Sequence, residues 1–206
     1  MKSVGCHVRE EEVVGLGGRN GCGKTTLDED CGGSLRLTSG SMNWRTGADS
    51  AGLVRDSEGR RSELPPMGLT LKSDGMCGEE TVGERLAISL RVAGRSPDEA
   101  RMAEMLSVWG LEHRRADRIS QLSGGMRRRL AVLCGLAPAA LCGDSRVALL
   151  DEPSEGLDES ARGLLTGWLR ALAVNGHGVV VATHDAEVIR CADRVVSVEG
   201  SNLIEA

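Results

Sequence analysis

Several groups of residues in this chain have the types and spacings that phosphate chemistry needs. Gly18-Arg19-Asn20-Gly21-Cys22-Gly23-Lys24-Thr25 fits the pattern G-x-x-x-x-G-K-[ST]. Its glycines let backbone N–H groups turn inward around the β- and γ-phosphates of a nucleotide, at a helix N-terminus whose dipole favours anions. Lys24 supplies a point charge there, and Thr25 offers a hydroxyl to Mg²⁺. Val147-Ala148-Leu149-Leu150-Asp151-Glu152 reads as an apolar strand ending in two carboxylates, which side-chain alternation sends to different places. Asp151 suits Mg²⁺ held through its water shell, and Glu152 suits taking a proton from the water that attacks the γ-phosphate. Between these groups, Leu122-Ser123-Gly124-Gly125-Met126 places a Ser-Gly-Gly turn at the opening of a helix, a second anion site. One chain cannot easily bring both anion sites to one phosphate, so the turn suggests a site completed by a second copy. Thr183-His184-Asp185 follows another apolar run and puts His184 at the same sheet edge, although a lone histidine is often structural.

The elements that must hold these groups follow from periodicity. Val13 to Leu16 reads as a short buried strand, followed by the Gly-rich turn and a helix opening at about Gly23. The dinucleotide pattern is not met, because Gly15-Leu16-Gly17 is followed by Asn20 where the third glycine would stand. Residues 28 to 62 show little periodicity and read as loops and short strands. Ser96-Pro97-Asp98-Glu99 predicts a helix capped by Ser96, running to Trp109 and stopping at Gly110. Met102, Met105, Leu106 and Trp109 fall at helical spacing and read as a core stripe. A further helix follows Ser123. Apolar runs at Arg146 to Leu150 and Gly178 to Ala182 flank a helix from about Glu159 to Val174, the order of a strand-helix-strand unit with parallel strands, and Val195 to Val198 gives a last strand.

Composition sets the outer bounds. The 206 residues suit one domain with a substantial core. A net charge of −5 gives no electrostatic reason to expect nucleic acid as a partner. Seven cysteines form no C-x-x-C pair and no basic-then-apolar leader opens the chain, so a reduced cytosolic setting is expected, with the cysteines as inert fillers. The longest apolar stretch, Leu130 to Gly143, is short of the ~20 residues a bilayer crossing needs and is interrupted by Pro138. Membrane work would fall to a partner.

On these residues the chain resembles the nucleotide-binding domain of the ATP-binding cassette (ABC) family from residue 12 onward. Gly18 to Thr26 is similar to the family's Walker A loop, Leu122 to Met126 to its signature, and Val147 to Glu152 to its Walker B strand. Ser154-Glu155-Gly156-Leu157-Asp158 resembles the loop that crosses the dimer interface, and His184 falls on the switch histidine. The resemblance implies an α/β fold of the P-loop NTPase type. Its mainly parallel sheet is flanked by helices, residues 1–206 form one domain, a helical subdomain at about 78–135 carries the signature, and the N-terminal β part is reduced. It also implies an ATP-hydrolysing subunit that pairs head to tail with a second copy or a second ABC subunit. Ser123, Gly124 and Gly125 of one chain would then meet the γ-phosphate held by Gly18 to Thr26 of the other, with Thr25 and Asp151 on Mg²⁺ and Glu152 and His184 in catalysis. The implied partner is an integral membrane permease, which places the chain in the cytoplasm at the inner face of the cell membrane.

The sequence also departs from the family's pattern. Gln121 is the only glutamine and precedes the signature, so the family's Q-loop glutamine is missing. By spacing to Thr81-Val82-Gly83-Glu84, Lys72 stands in its place, either touching phosphate or sitting on a solvated loop. There is no Tyr or Phe, and 17 residues precede Gly18. The adenine-stacking aromatic and an early strand of the family are therefore missing, and with them about 1–3 kcal/mol of stacking per base, so weak nucleotide binding is expected. Asp28-Glu29-Asp30 and Gly32-Gly33 stand where a helix under the sheet needs apolar residues. Arg127-Arg128-Arg129 after Met126 resembles signatures common among exporter-type cassettes, and equally reads as a solvated helix face. The alternative function is a cassette ATPase outside transport, or a regulatory nucleotide-binding module with weak or no turnover.

Overall fold

Unbroken apolar runs become the buried strands of a parallel sheet. A computed structural model describes residues 7–18, 41–44, 53–56, 58, 67–70, 76–141, 146–199 and 202–205. The main sheet contains β1 (Val13–Gly17), β4 (Gly68–Thr70), β5 (Val147–Asp151), β6 (Gly178–Ala182), β7 (Arg194–Glu199) and β8 (Asn202–Glu205). Their order is β4-β5-β6-β1-β7-β8, parallel throughout except for the last pair, which is antiparallel. Two strands from the region expected to hold short strands, β2 (Ser41–Trp44) and β3 (Leu53–Asp56), form a separate antiparallel pair. Residues 19–40 lie outside the described residues, and with them the expected helix at Gly23 and the Asp28-Glu29-Asp30 run, as does Lys72.

The pleat divides the core into two clusters. Val13, Ala148, Leu150, Val179 and Val181 face one way, toward α1 (Val82–Val92), α2 (Glu99–Val108), α3 (Gly124–Ala140) and α4 (Glu159–Val174). Val14, Leu16, Leu149, Val180, Ala182 and Val196 face the other way. Helix starts are set by side-chain caps. Thr81 and Glu84 form a capping box on α1, and Asp158 accepts from Ala161 N at 2.8 Å on α4. Both bounds expected for α4 are matched.

Two boundaries differ from the sequence reading, and one helix end that it left open is fixed. The cap of α2 is Asp98, accepting from Arg101 N at 2.9 Å, so Ser96 and Pro97 precede the helix. Both residues can cap, and the carboxylate is favoured by the helix dipole. The strand at Val195 to Val198 is not the last, because β8 folds back on β7. Helix α3 continues through Pro138 to Ala140, since a proline in the last turn costs one hydrogen bond without breaking the helix axis. Among the described residues no helix is long and apolar enough to cross a membrane.

Met102, Met105, Leu106 and Trp109 are buried as expected. The Trp109 ring meets Trp168 of α4 edge-on, with centroids 5.8 Å apart at 70°. His177, before β6, is buried and accepts from Arg146 N at 3.1 Å, and burial lowers its pKa, which keeps the ring neutral. Cys134 is a buried filler on α3 whose thiol burial pushes up to about 11, while Cys77 is exposed.

The tightest approach in the described fold is between β4 and α3. An ideal Cβ on Gly68 would stand 1.8 Å from the Gly135 carbonyl oxygen, and one on Gly135 would stand 1.8 Å from Thr70 Oγ1. Gly163 and Gly167, on the exposed face of α4, would place a Cβ in open space. Gly68→Ala should therefore destabilise the protein by about 1–3 kcal/mol in urea unfolding. Gly163→Ala should stabilise it by roughly 0.5–1 kcal/mol. Equal midpoints for the two variants would mean that the contact is not as tight as described.

Candidate functional site

The strand register brings the candidate residues to one edge. Asp151 pairs with Ala182, which pairs with Leu16, so the C-terminal ends of β5, β6 and β1 lie level. In open α/β sheets this edge is where ligands bind. Beyond it the chain continues into Glu152, into Thr183-His184-Asp185, and into Gly18, whose φ of 133° only glycine adopts readily. Arg19, Asn20, Gly21, Cys22, Gly23, Lys24, Thr25 and Thr26 lie outside the described residues.

Glu152 does not continue the alternation of the strand. Its φ is 45°, left-handed and uncommon for a residue with a Cβ. Several partners fix it there. Its N–H donates to Ala182 O at 2.7 Å, and its carbonyl accepts from Glu155 N at 3.1 Å. The carboxylate, 5% exposed, has Oε2 2.9 Å from His184 Nδ1 and accepts from His184 N at 3.3 Å. The His184 side chain is 68% exposed, so one face of the ring meets the buried carboxylate and the rest meets solvent. With Nδ1–H donating to Glu152, Nε2 is left to face a ligand. Asp151 is 1% exposed. Among the described residues no group of three or more His, Cys, Asp or Glu could hold a metal. One buried carboxylate still suits Mg²⁺, which takes one or two carboxylates together with phosphate and water oxygens.

Ser123 caps α3, its Oγ accepting from Met126 N at 3.3 Å, and Ser123, Gly124 and Gly125 are exposed. The turn thus stands at the surface, and within its own chain Gly125 looks toward the Gly156 carbonyl. The next loop is anchored from below. Ser154 and Leu157 are buried, Gly156 has φ 77°, and Ser154 hydrogen-bonds Asp185.

The arginine triplet is not a solvated face. Arg128 is 6% exposed and donates from Nη2 to Asp151 O at 3.2 Å and Glu152 O at 2.6 Å. Arg129 pairs with Asp158 and donates to Trp109 O at 3.4 Å. Spacing alone does not single Arg128 out, since every residue from Leu130 to Ala139 is buried and Arg127 and Arg129 also lie four residues before buried ones, Ala131 and Leu133.

Two caps hold their carboxyls below the usual carboxylate range. Asp158 is lowered by the Ala161 N–H and then by the Arg129 guanidinium. Burial raises Asp185, but the Glu187 N–H, the Ser154 side chain, the Val188 N–H and Arg162 together outweigh it. Both therefore bind a proton less readily folded than unfolded. Their contribution is complete above the unfolded value of about 4 and is lost as pH falls through the lower folded values. In thermal melts from pH 6 to pH 2, the protein should lose stability below about pH 4. The loss should be shallower in Asp158→Asn/Asp185→Asn, and parallel curves would remove these caps from the account.

Comparison with known proteins gives a consistent result. The ABC transporter family profile matches residues 1–155. The lipoprotein-releasing system ATP-binding protein LolD 1 of Rhodospirillum rubrum is 32% identical, covering 97% of this chain and 86% of its own length. The sulfate/thiosulfate import ATP-binding protein CysA of Bordetella bronchiseptica is 38% identical, covering 95% of this chain and 54% of its own length. The macrolide export ATP-binding/permease protein MacB of an Azoarcus species is 31% identical over 94% of this chain, which spans only 29% of that protein. Among solved structures, a dimeric bacterial ABC transporter cassette superposes over the whole chain and 89% of its own, with TM-score 0.78 at 24% identity.

Proposed function

Starting from the fact that this chain belongs to the ABC transporter family and is one of its ATPase cassettes, we propose that it binds and hydrolyses ATP in a head-to-tail dimer that drives a separate integral membrane subunit. The observation that carries this reading is the pairing of a buried strand-end Glu152 with His184 at the edge where β1 delivers Gly18. Glu152 takes a proton from the attacking water while the bond from the γ-phosphorus to the bridging oxygen breaks and ADP leaves with the electron pair. His184 holds the Glu152 carboxylate through Nδ1 and turns Nε2 toward the γ-phosphate. Arg19 to Thr26, with Gly18, cradle the phosphates, and Lys24 neutralises them. Thr25 and Asp151 hold Mg²⁺, which offsets charge on the phosphate oxygens when bound. Ser123, Gly124 and Gly125 reach the nucleotide of the partner cassette, a role supported by their exposure at the start of α3.

Residues 1–206 form one domain in this reading, with the helices of about 78–135 as its signature-bearing part. One of the two core clusters runs from Val13 of the sheet through Leu86 to Leu172 of the helices, which supports a single domain. The chain sits in the cytoplasm at the inner face of the cell membrane, held by its permease. Nucleic acid is not a partner, a view supported by the net charge of −5. Export is the finer part of the proposal and rests on Arg127-Arg128-Arg129 after Met126, while the named relatives include both exporters and importers. ATP binds weakly, because no Tyr or Phe is available to stack on adenine. That same lack, with the missing Q-loop glutamine, favours a second reading in which the cassette binds nucleotide but turns it over slowly or not at all.

Mg²⁺-dependent ATP hydrolysis by the purified chain separates the two. Glu152→Gln should cut turnover by about 10²- to 10⁴-fold, keep ATP binding, and trap an ATP-held dimer visible by light scattering. Lys24→Ala should lose both binding and dimer. Wild-type turnover in Glu152→Gln would end the assignment of the base, and binding without turnover in the wild type would favour the second reading.

A further inference from the structure

We propose that Arg128 is a positioning residue for the reaction at Glu152, holding the backbone of the strand-end pair Asp151-Glu152 in the conformation that aims the Glu152 carboxylate at His184. The inference rests on Glu152 as the base. Arg128 lies on α3, remote in sequence from β5, yet its guanidinium is buried against the strand end and one nitrogen, Nη2, serves both successive carbonyls. Such charge-assisted bonds are stronger than neutral ones. The second of those carbonyls belongs to the residue with φ 45°. A left-handed residue with a Cβ persists only where its surroundings over-determine it. Here the surroundings are Ala182 O on the N–H, and Arg128 together with Glu155 N on the carbonyl. With the backbone fixed in this way, the side chain leaves the strand direction and Oε2 comes to His184 Nδ1 at 2.9 Å.

The stem of Arg128 runs past Gly156. An ideal Cβ on Gly156 would lie 3.8 Å from its Cγ and 3.9 Å from its Cβ, so the residue threads beneath the loop that follows Glu152. Were the role only to fill space, an apolar side chain of similar length would serve as well, because buried charged groups are often replaceable by apolar ones without loss of stability. Aiming Glu152 needs donors at that place, which Met lacks and Lys partly supplies.

The test uses the full chain with Arg128→Met, Arg128→Lys and Arg128→Leu, and takes two readouts. The first is the ¹⁵N signal of the His184 imidazole, with Glu152→Ala marking the value when the pair is broken. The second is kcat and KM for ATP per folded molecule. In Arg128→Met the His184 signal should move toward the Glu152→Ala value, and kcat should fall about tenfold or more with KM within about twofold. Arg128→Lys should recover part of both. In a Glu152→Gln background, Arg128→Met should lower kcat no further, because the two residues act as a unit. A folded Arg128→Met with the wild-type His184 signal, or with unchanged kcat, would overturn the proposal. If Arg128→Met does not fold, Arg128→Leu, which also lacks a donor, is read by the same two criteria. Should the wild type hydrolyse no ATP, the reading of Glu152 as base falls, while the His184 signal still decides whether Arg128 holds that carboxylate.

Discussion

Strands β5, β6 and β1 are buried on both faces, so their flanks are closed to polar chemistry and charged groups can gather only where the strands run out. Much else follows from that constraint. The level register of Asp151, Ala182 and Leu16 fixes where each strand stops. It therefore fixes the starting points of three different connections, each carrying one part of the chemistry. The buried Glu152 carboxylate is tolerable at this edge because His184 reaches it, while Arg128 satisfies the backbone carbonyls of Asp151 and Glu152.

Parallel strands buried on both faces read as continuous apolar runs, which is why β1, β5 and β6 were legible within a residue of their observed ends. Helix α4 was legible at both ends because its cap and its amphipathic period agree. Where two signals competed, the reading slipped. Ser96 and Asp98 are both good caps, and the choice between them depends on the path of the chain from α1 to α2, which local spacing does not encode. Strand β8 is four residues at the sheet edge, with Asn202 and Glu205 at its ends and little apolar pattern to mark it.

The site was legible in its residue types but not in its geometry. That Asp151 and Glu152 differ was a matter of alternation, whereas the actual cause is a left-handed residue set by Ala182, Glu155 and Arg128, which are distant or unremarkable in sequence. Arg128 was obscured by its neighbours, because three arginines in a row resemble a solvated face and the run after them is buried throughout, so no period picks one arginine out. A core without Phe or Tyr depends on Leu, Val and Ala, small side chains that allow backbones to come close, as Gly68 and Gly135 do.

The edge-on meeting of Trp109 and Trp168 has an optical meaning. With no tyrosine in the chain, its near-ultraviolet light is absorbed chiefly by three indoles, and two of them join the end of α2 to the middle of α4. Any rotation of α2 against α4 would change the overlap and quenching of that pair. The protein thus carries an intrinsic, label-free gauge of how the end of α2 sits against α4.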